Sequence, residues 1–143
     1  MKKNLIIFIL IMLTSFLISA SNIITIVNIN MDGSENLLSY PADTKEFIFF
    51  NGDSKSYKTT KLKGLEKLKE LEVLRFYNLA FVKDYSFLKD VSKTCKELVL
   101  SGCDFYGFDN ISHLTNLEEI VIDGCDWTEE QYNALVKTGI DLS

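Results

Sequence analysis

The sequence predicts an α/β solenoid, a short stack of about four strand-and-crossover units with parallel strands on a concave face, capped by a strand at the front and a helix at the rear. Three observations carry this expectation: an apolar four-point pattern that recurs along the chain, a β-branched segment upstream of it, and a helix-start signature downstream. They divide the 143 residues into a signal segment (1–20), an N-terminal cap (21–46), the repeats (47–127) and a helical cap (128–143).

Leu74, Phe76, Leu79 and Phe81 stand at offsets 0, 2, 5 and 7 from the first of them. Leu98, Leu100, Cys103 and Phe105 repeat those offsets, as do Ile120, Ile122, Cys125 and Trp127. The starts lie 24 and 22 residues apart, and a degenerate copy at Phe47 and Phe49 begins 27 residues earlier with Gly52 in place of its third apolar residue. Residues two apart on a strand share a face, so Leu74 and Phe76 point into a core while Val73, Arg75 and Tyr77 point away from it. Leu79, Cys103 or Cys125 then fills the bend, and apolar residues mark each return: Tyr85 and Leu88, Ile111 and Leu114, Tyr132 and Leu135.

This pattern resembles the bacterial leucine-rich repeat family, most of all its internalin-like branch. The resemblance rests on Leu98-Val99-Leu100-Ser101-Gly102-Cys103-Asp104-Phe105 followed by Asp109-Asn110-Ile111-Ser112-His113-Leu114-Thr115-Asn116-Leu117, and on Asp84-Tyr85-Ser86-Phe87-Leu88 in the preceding unit. It covers about residues 44 to 127 and implies the stacked fold and a role in protein binding. Cys103 and Cys125 depart from it, standing where the family pattern has an Asn that hydrogen-bonds the bend.

At the front, Ile23-Ile24-Thr25-Ile26-Val27-Asn28-Ile29-Asn30 reads as a strand ending at the turn Met31-Asp32-Gly33-Ser34, and is expected to cap the first edge of the sheet. At the rear, Thr128-Glu129-Glu130-Gln131 is a capping-box pattern. Tyr132, Leu135 and Val136 are expected on one apolar helical face, with Lys137 in the last turn, Gly139 ending the helix and Ile140 folding back on it.

Met1-Lys2-Lys3-Asn4, the apolar run Leu5 to Leu17 and Ile18-Ser19-Ala20 follow the plan of a secretory signal cut after Ala20. The expected location is therefore the periplasm, the cell surface or the medium, with no stable membrane insertion after cleavage. Bulky Ile18 leaves an uncleaved anchor as the alternative. Without Lys2 and Lys3, 13 basic residues face 20 acidic ones, a net charge of −7 for residues 21–143. A surface that tracks phosphates needs the opposite sign, so nucleic acid is not an expected partner.

The expectation is a non-catalytic chain that binds no cofactor and no metal. The single His113 sits in a return segment away from any paired nucleophile, Glu129 and Glu130 diverge on one helix, and no cysteines have ligand spacing. The sequon Asn110-Ile111-Ser112 is read as coincidental. Cys95 is expected in the core. Cys103 and Cys125 occupy one position in adjacent units; strand spacing admits a disulfide, while parallel side chains hold the β-carbons too far apart, so both free thiols and a bridge stay open.

What remains is the outward face of the strands, read as three columns: Glu46, Val73, Glu97, Glu119; Ile48, Arg75, Val99, Val121; and Phe50, Tyr77, Ser101, Asp123. A strip of apolar residues with Arg75, Tyr77 and Phe50 at its front has the composition of a binding hot spot. The expected site for a protein or peptide partner is Ile48, Phe50, Val73, Arg75, Tyr77, Val99, Ser101, Val121 and Asp123. The alternative function is a structural, envelope-associated protein that self-assembles.

Overall fold

The computed structural model describes residues 22–51, 58–79, 88–89, 91, 93–103 and 114–143. The signal segment, the bend and return residues Gly52, Phe81, Tyr85, Phe105, Ile111 and His113, and the sequon at Asn110 fall outside them.

β1 (Ile23–Asn30) is the strand read from its β-branched run, but its partners differ from the expectation. The turn after it is tight. Asp32 Oδ1 accepts hydrogen bonds from the backbone N–H and hydroxyl of Ser34 at 2.9 and 2.6 Å, Asn30 N–H reaches Ser34 O at 2.9 Å, and Gly33 takes φ +81°. A turn this short returns the chain beside its own strand, and only an antiparallel neighbour can form that way. β2 (Glu35–Pro41) therefore pairs antiparallel with β1. β4 (Thr59–Lys63) takes the other edge of β1 antiparallel, with an irregularity between Ile29 and Asn30.

The second sheet is parallel. β3 (Glu46–Phe50), β5 (Val73–Tyr77), β6 (Glu97–Ser101), β7 (Glu119–Asp123) and β8 (Asp141–Leu142) lie side by side in that order. Phe47, Leu74, Leu98, Ile120 and Leu142 are direct partners across it, as are Phe49, Phe76, Leu100 and Ile122. Both rows point inward; Phe47, Leu74, Phe76, Leu98, Leu100 and Ile120 are fully buried. The strand spacing of the sequence thus corresponds to a real register.

The expected solenoid, a leucine-rich repeat stack of about four units closed by one strand and one helix, is nevertheless not what the chain builds. It forms two sheets, one of three antiparallel strands in the order β2-β1-β4 and one of five parallel strands. The front segment caps no edge of the parallel sheet, because its tight turn commits it to a hairpin of its own. β4, which falls inside the span 47–127 read as repeats, belongs to that antiparallel sheet. At the rear the parallel sheet continues through β8 beyond the helix instead of ending under it.

The two sheets share a core. Ile26 and Leu62 from the antiparallel sheet join Phe47, Phe49, Leu74, Phe76 and Leu98 in one buried cluster, and the rings of Tyr40 and Phe47 meet with centroids 5.0 Å apart. Leu65, Leu68 and Leu71 enter it from the stretch between β4 and β5. That stretch begins with a 3-10 turn at Leu65–Lys67, opened by Gly64 at φ +95°. A β-carbon at Gly64 would stand 2.7 Å from Thr25 O, so only glycine lets the turn pass that close to β1. In the later connections Leu79, Leu88, Val91, Cys95, Cys103, Leu114 and Leu117 are buried.

The only α-helix among the described residues, α1 (Glu129–Val136), has the capping box read from its sequence: Thr128 Oγ1 accepts from Gln131 N–H at 3.2 Å, and Gln131 Oε1 accepts from Thr128 N–H at 3.0 Å. Its predicted apolar face is corrected. Leu135 alone is buried, while Tyr132 and Val136 are about half exposed. Lys137 lies one residue past the helix, at its C-cap.

β3, β5 and β6 leave the sheet through the same backbone hydrogen bond to the next strand. Asn51 N–H bonds Tyr77 O, Asn78 N–H bonds Ser101 O and Gly102 N–H bonds Asp123 O, at 3.0, 2.8 and 2.8 Å. Asn78, Gly102 and Gly124 all take φ near +60°. A β-carbon at Gly102 would fall 2.7 Å from Asn78 Oδ1. Gly102→Ala should therefore destabilise the fold by about 1–3 kcal/mol, seen as a lower urea midpoint at unchanged slope. An unchanged midpoint would show that residue 102 is not held left-handed against Asn78.

Candidate functional site

Strand alternation turns Glu46, Ile48 and Phe50 away from the core on β3, Val73, Arg75 and Tyr77 on β5, and their partners onward across the sheet. The columns predicted from sequence are brought together in this order, but they are not uniformly exposed. Ile48 is 49% and Phe50 61% exposed, and the Phe50 ring meets that of half-buried Tyr77 at 6.4 Å between centroids. Val73 and Val121 are half-buried, Ser101 is half-buried with its hydroxyl 3.2 Å from Asp123 Oδ2, and Asp123 is exposed.

Val99 is the exception, only 6% exposed. It lies in the central strand of five, in a row between the long Arg75 and branched Val121, where a small side chain keeps little surface of its own. The exposed apolar surface is therefore concentrated at the β3 edge and does not run as a strip across the sheet.

Arg75 also has a different setting from a free anchor. Its Nε reaches Glu46 Oε1 at 2.7 Å on one side, and its Nη1 reaches Glu97 Oε1 at 2.9 Å on the other. One guanidinium thus ties β3, β5 and β6 across the open face. The hydrogen bond to Glu46 and the charge of Glu97 raise its already high pKa further. The columns contained this signal, because Glu46 and Glu97 stand on the two strands beside Arg75, one diagonal step away.

A second row of charges precedes the strands and was not read from sequence. Lys45 Nζ pairs with Glu72 at 2.9 Å and Lys96 Nζ with Glu118 at 3.4 Å. Their backbones form a matching ladder. Lys45 O accepts from Glu72 and Val73 N–H, Glu72 O from Lys96 and Glu97 N–H, and Lys96 O from Glu118 and Glu119 N–H. Hydrogen bonding between Lys45 and Glu72 raises the ammonium pKa and lowers that of the carboxyl.

Cys103 and Cys125 lie at the opposite, exit end of the strands and Cys95 just before β6, all three as free thiols. Cys95 is buried, and desolvation pushes its thiol up to about 12. Cys103 is fully buried and Cys125 half-buried, one unit apart in the ladder. Cys103 N–H donates to Cys125 Sγ at 3.3 Å, and Cys125 Sγ lies 3.3 Å from Leu100 O. Cys103 Sγ lies 3.5 and 3.4 Å from the carbonyls of Phe76 and Ser101. The thiols take up backbone hydrogen bonding at the bend.

The neighbouring Cys125 thiol raises the Cys103 pKa, and burial adds to the effect. The neighbouring Cys103 thiol is the main cause that draws Cys125 down to about 6, with Cys103 N–H assisting against burial.

Among the described residues, no cluster of His, Cys, Asp and Glu side chains is placed to hold a metal ion, and no helix is long and apolar enough to cross a membrane. Comparison with family models, with curated proteins and with solved structures finds no match to this chain.

Side-chain exposure of 28% for Arg75, and of 48% and 27% for its two carboxylate partners, leaves the clamp open to solvent screening, which limits each such pair to about 0–1 kcal/mol. Arg75→Gln should lower stability by roughly 1 kcal/mol at low ionic strength, and most of that difference should vanish in about 1 M salt. A loss that salt leaves untouched would mean that the arginine acts through packing and not through its charge.

Proposed function

We propose that this chain is an exported, non-catalytic interaction module that binds a protein or peptide across the open face of its parallel sheet. The observation that carries the reading is the pair of large apolar side chains left in solvent on one edge strand, Ile48 and Phe50, beside Tyr77. Isolated exposed apolar residues need no explanation, but an aromatic pair next to a fixed arginine is the composition of interaction hot spots. The clamp on Arg75 alters how a partner is met. Its guanidinium already has two carboxylates, so recognition centres on the aromatic corner, and the charged row orients the partner.

Export rests on the basic, apolar and small-residue plan of residues 1–20. The net charge of −7 over the remaining chain argues for a partner other than nucleic acid. Self-association through the same corner is the second reading, favoured by the place of exposed Ile48 and Phe50 on β3, an edge strand of the parallel sheet with which another chain could pair.

Phe50→Asp combined with Tyr77→Ala tests the reading. Affinity capture from the native secretome should lose its specific partner with the double variant, while Lys137→Ala, at the C-cap of α1, keeps it. Thermal unfolding of both variants should remain near that of the parent chain, since Phe50 is exposed. A partner retained by the double variant places binding elsewhere. Sedimentation over a wide concentration range separates the second reading: association that Phe50→Asp abolishes supports it, and a strict monomer removes it.

A further inference from the structure

We propose that the outer face of the antiparallel sheet is a dimer interface, on which a second copy of this chain seats the same face about a two-fold axis running along the strands. β1 turns Ile26, Asn28 and Asn30 toward the core and leaves Ile23, Thr25, Val27 and Ile29 on the other side. None of these four belongs to the core cluster, and Ile23 is 58% and Leu37 of β2 67% exposed. The sheet thus presents an apolar middle strand on the side away from its core.

The cross-strand register decides the occupant. One row across the sheet reads Lys61, Ile29, Glu35, and the next reads Lys63, Val27, Leu37. A cationic edge on β4 and an acidic residue on β2 therefore flank β1. Lys45, Arg75 and Lys96 all have carboxylate partners, whereas among the described residues Lys61, Lys63 and Glu35 enter no ion pair.

A face with this pattern complements itself in one orientation. Turning a second copy by half a revolution about an axis along β1 exchanges its two edges. Lys61 then meets the partner's Glu35, and by symmetry the ion pair forms twice. Ile29 and Val27 meet their own counterparts, and the aliphatic stem of Lys63 covers the partner's Leu37. An axis across the strands would set lysine on lysine and glutamate on glutamate, which the charges oppose. Facing sheets pack about 10 Å apart with strands within about 30° of each other, a gap that lysine and glutamate side chains span together. An anionic lipid surface would suit the lysines but not Glu35; a second copy suits both. Three short strands make a smaller interface than the roughly 800 Å² per partner of a standard one, so the pairing is weak, with a Kd on the order of 10–100 μM.

The test is sedimentation equilibrium of the chain purified after export, over concentrations from about 1 μM to 1 mM. The parent chain should show a reversible monomer–dimer equilibrium. Leu37→Lys, at an exposed position, should weaken it roughly tenfold or more, because lysine then faces lysine. Lys61→Glu and Glu35→Lys, both at exposed positions, should each weaken it by a similar factor. An equimolar mixture of those two charge variants should recover the parent's association as a mixed dimer, because every facing pair is again opposite in sign. That recovery decides the matter even where Leu37→Lys does not fold. Phe50→Asp, on the other sheet, should leave the dimer unchanged. A monomer throughout the range, single charge variants that associate like the parent, or a mixture that stays monomeric would overturn the proposal. So would a dimer lost with Phe50→Asp, or a monomer that pellets with phosphatidylglycerol vesicles, which would assign the face to a lipid surface.

Discussion

Parallel pairing in strict register governs this molecule, because it sets the same position of successive strands side by side, about 5 Å apart, and makes neighbours share one environment. The two inward rows, Phe47 to Leu142 and Phe49 to Ile122, are the direct result. A slip of one residue would turn Leu98 and Leu100 outward and bring Glu97, Val99 and Ser101 in. Burying a leucine or phenylalanine contributes about 1.5–3 kcal/mol, whereas a surface ion pair contributes about 0–1 kcal/mol. The apolar rows therefore fix the register, and the Lys45–Glu72 and Lys96–Glu118 pairs follow it.

Features at both ends of the strands descend from that register. At the entry end, the carbonyls just before β3, β5 and β6 each accept two N–H groups from the start of the next strand. At the exit end, left-handed Asn78, Gly102 and Gly124 align, so that each bend repeats the last. The alignment brings Cys103 N–H to Cys125 Sγ from the same position of adjacent bends, and it brings Arg75 between Glu46 and Glu97 on the open face. Two arrangements with different chemistry thus follow from one geometric rule.

Much of the parallel sheet was legible in the sequence because its spacing is a local repeat. Leu74, Leu98 and Ile120 could be aligned by counting, and the outward columns by alternation. The architecture as a whole was misread for a physical reason. A β-branched run such as Ile23–Asn30 announces a strand but not its partner. That choice lay in the Asx turn at Asp32 and Gly33, which forces a hairpin and founds a second sheet. β8 was invisible because two residues carry no period. Exposure was the other gap. Alternation tells which way Val99 points, but not that its place in the central strand leaves it covered. Likewise, composition marked Arg75 as an anchor, and only the cross-strand geometry shows it already engaged.

Isotope-edited nuclear Overhauser spectra test the register itself most directly. The account predicts cross-strand backbone contacts linking Arg75 with Val99 and Val99 with Val121, together with antiparallel contacts linking Ile26 with Leu38. Contacts displaced by one residue along β6 or β7, or parallel contacts from β1 to β3, would contradict it.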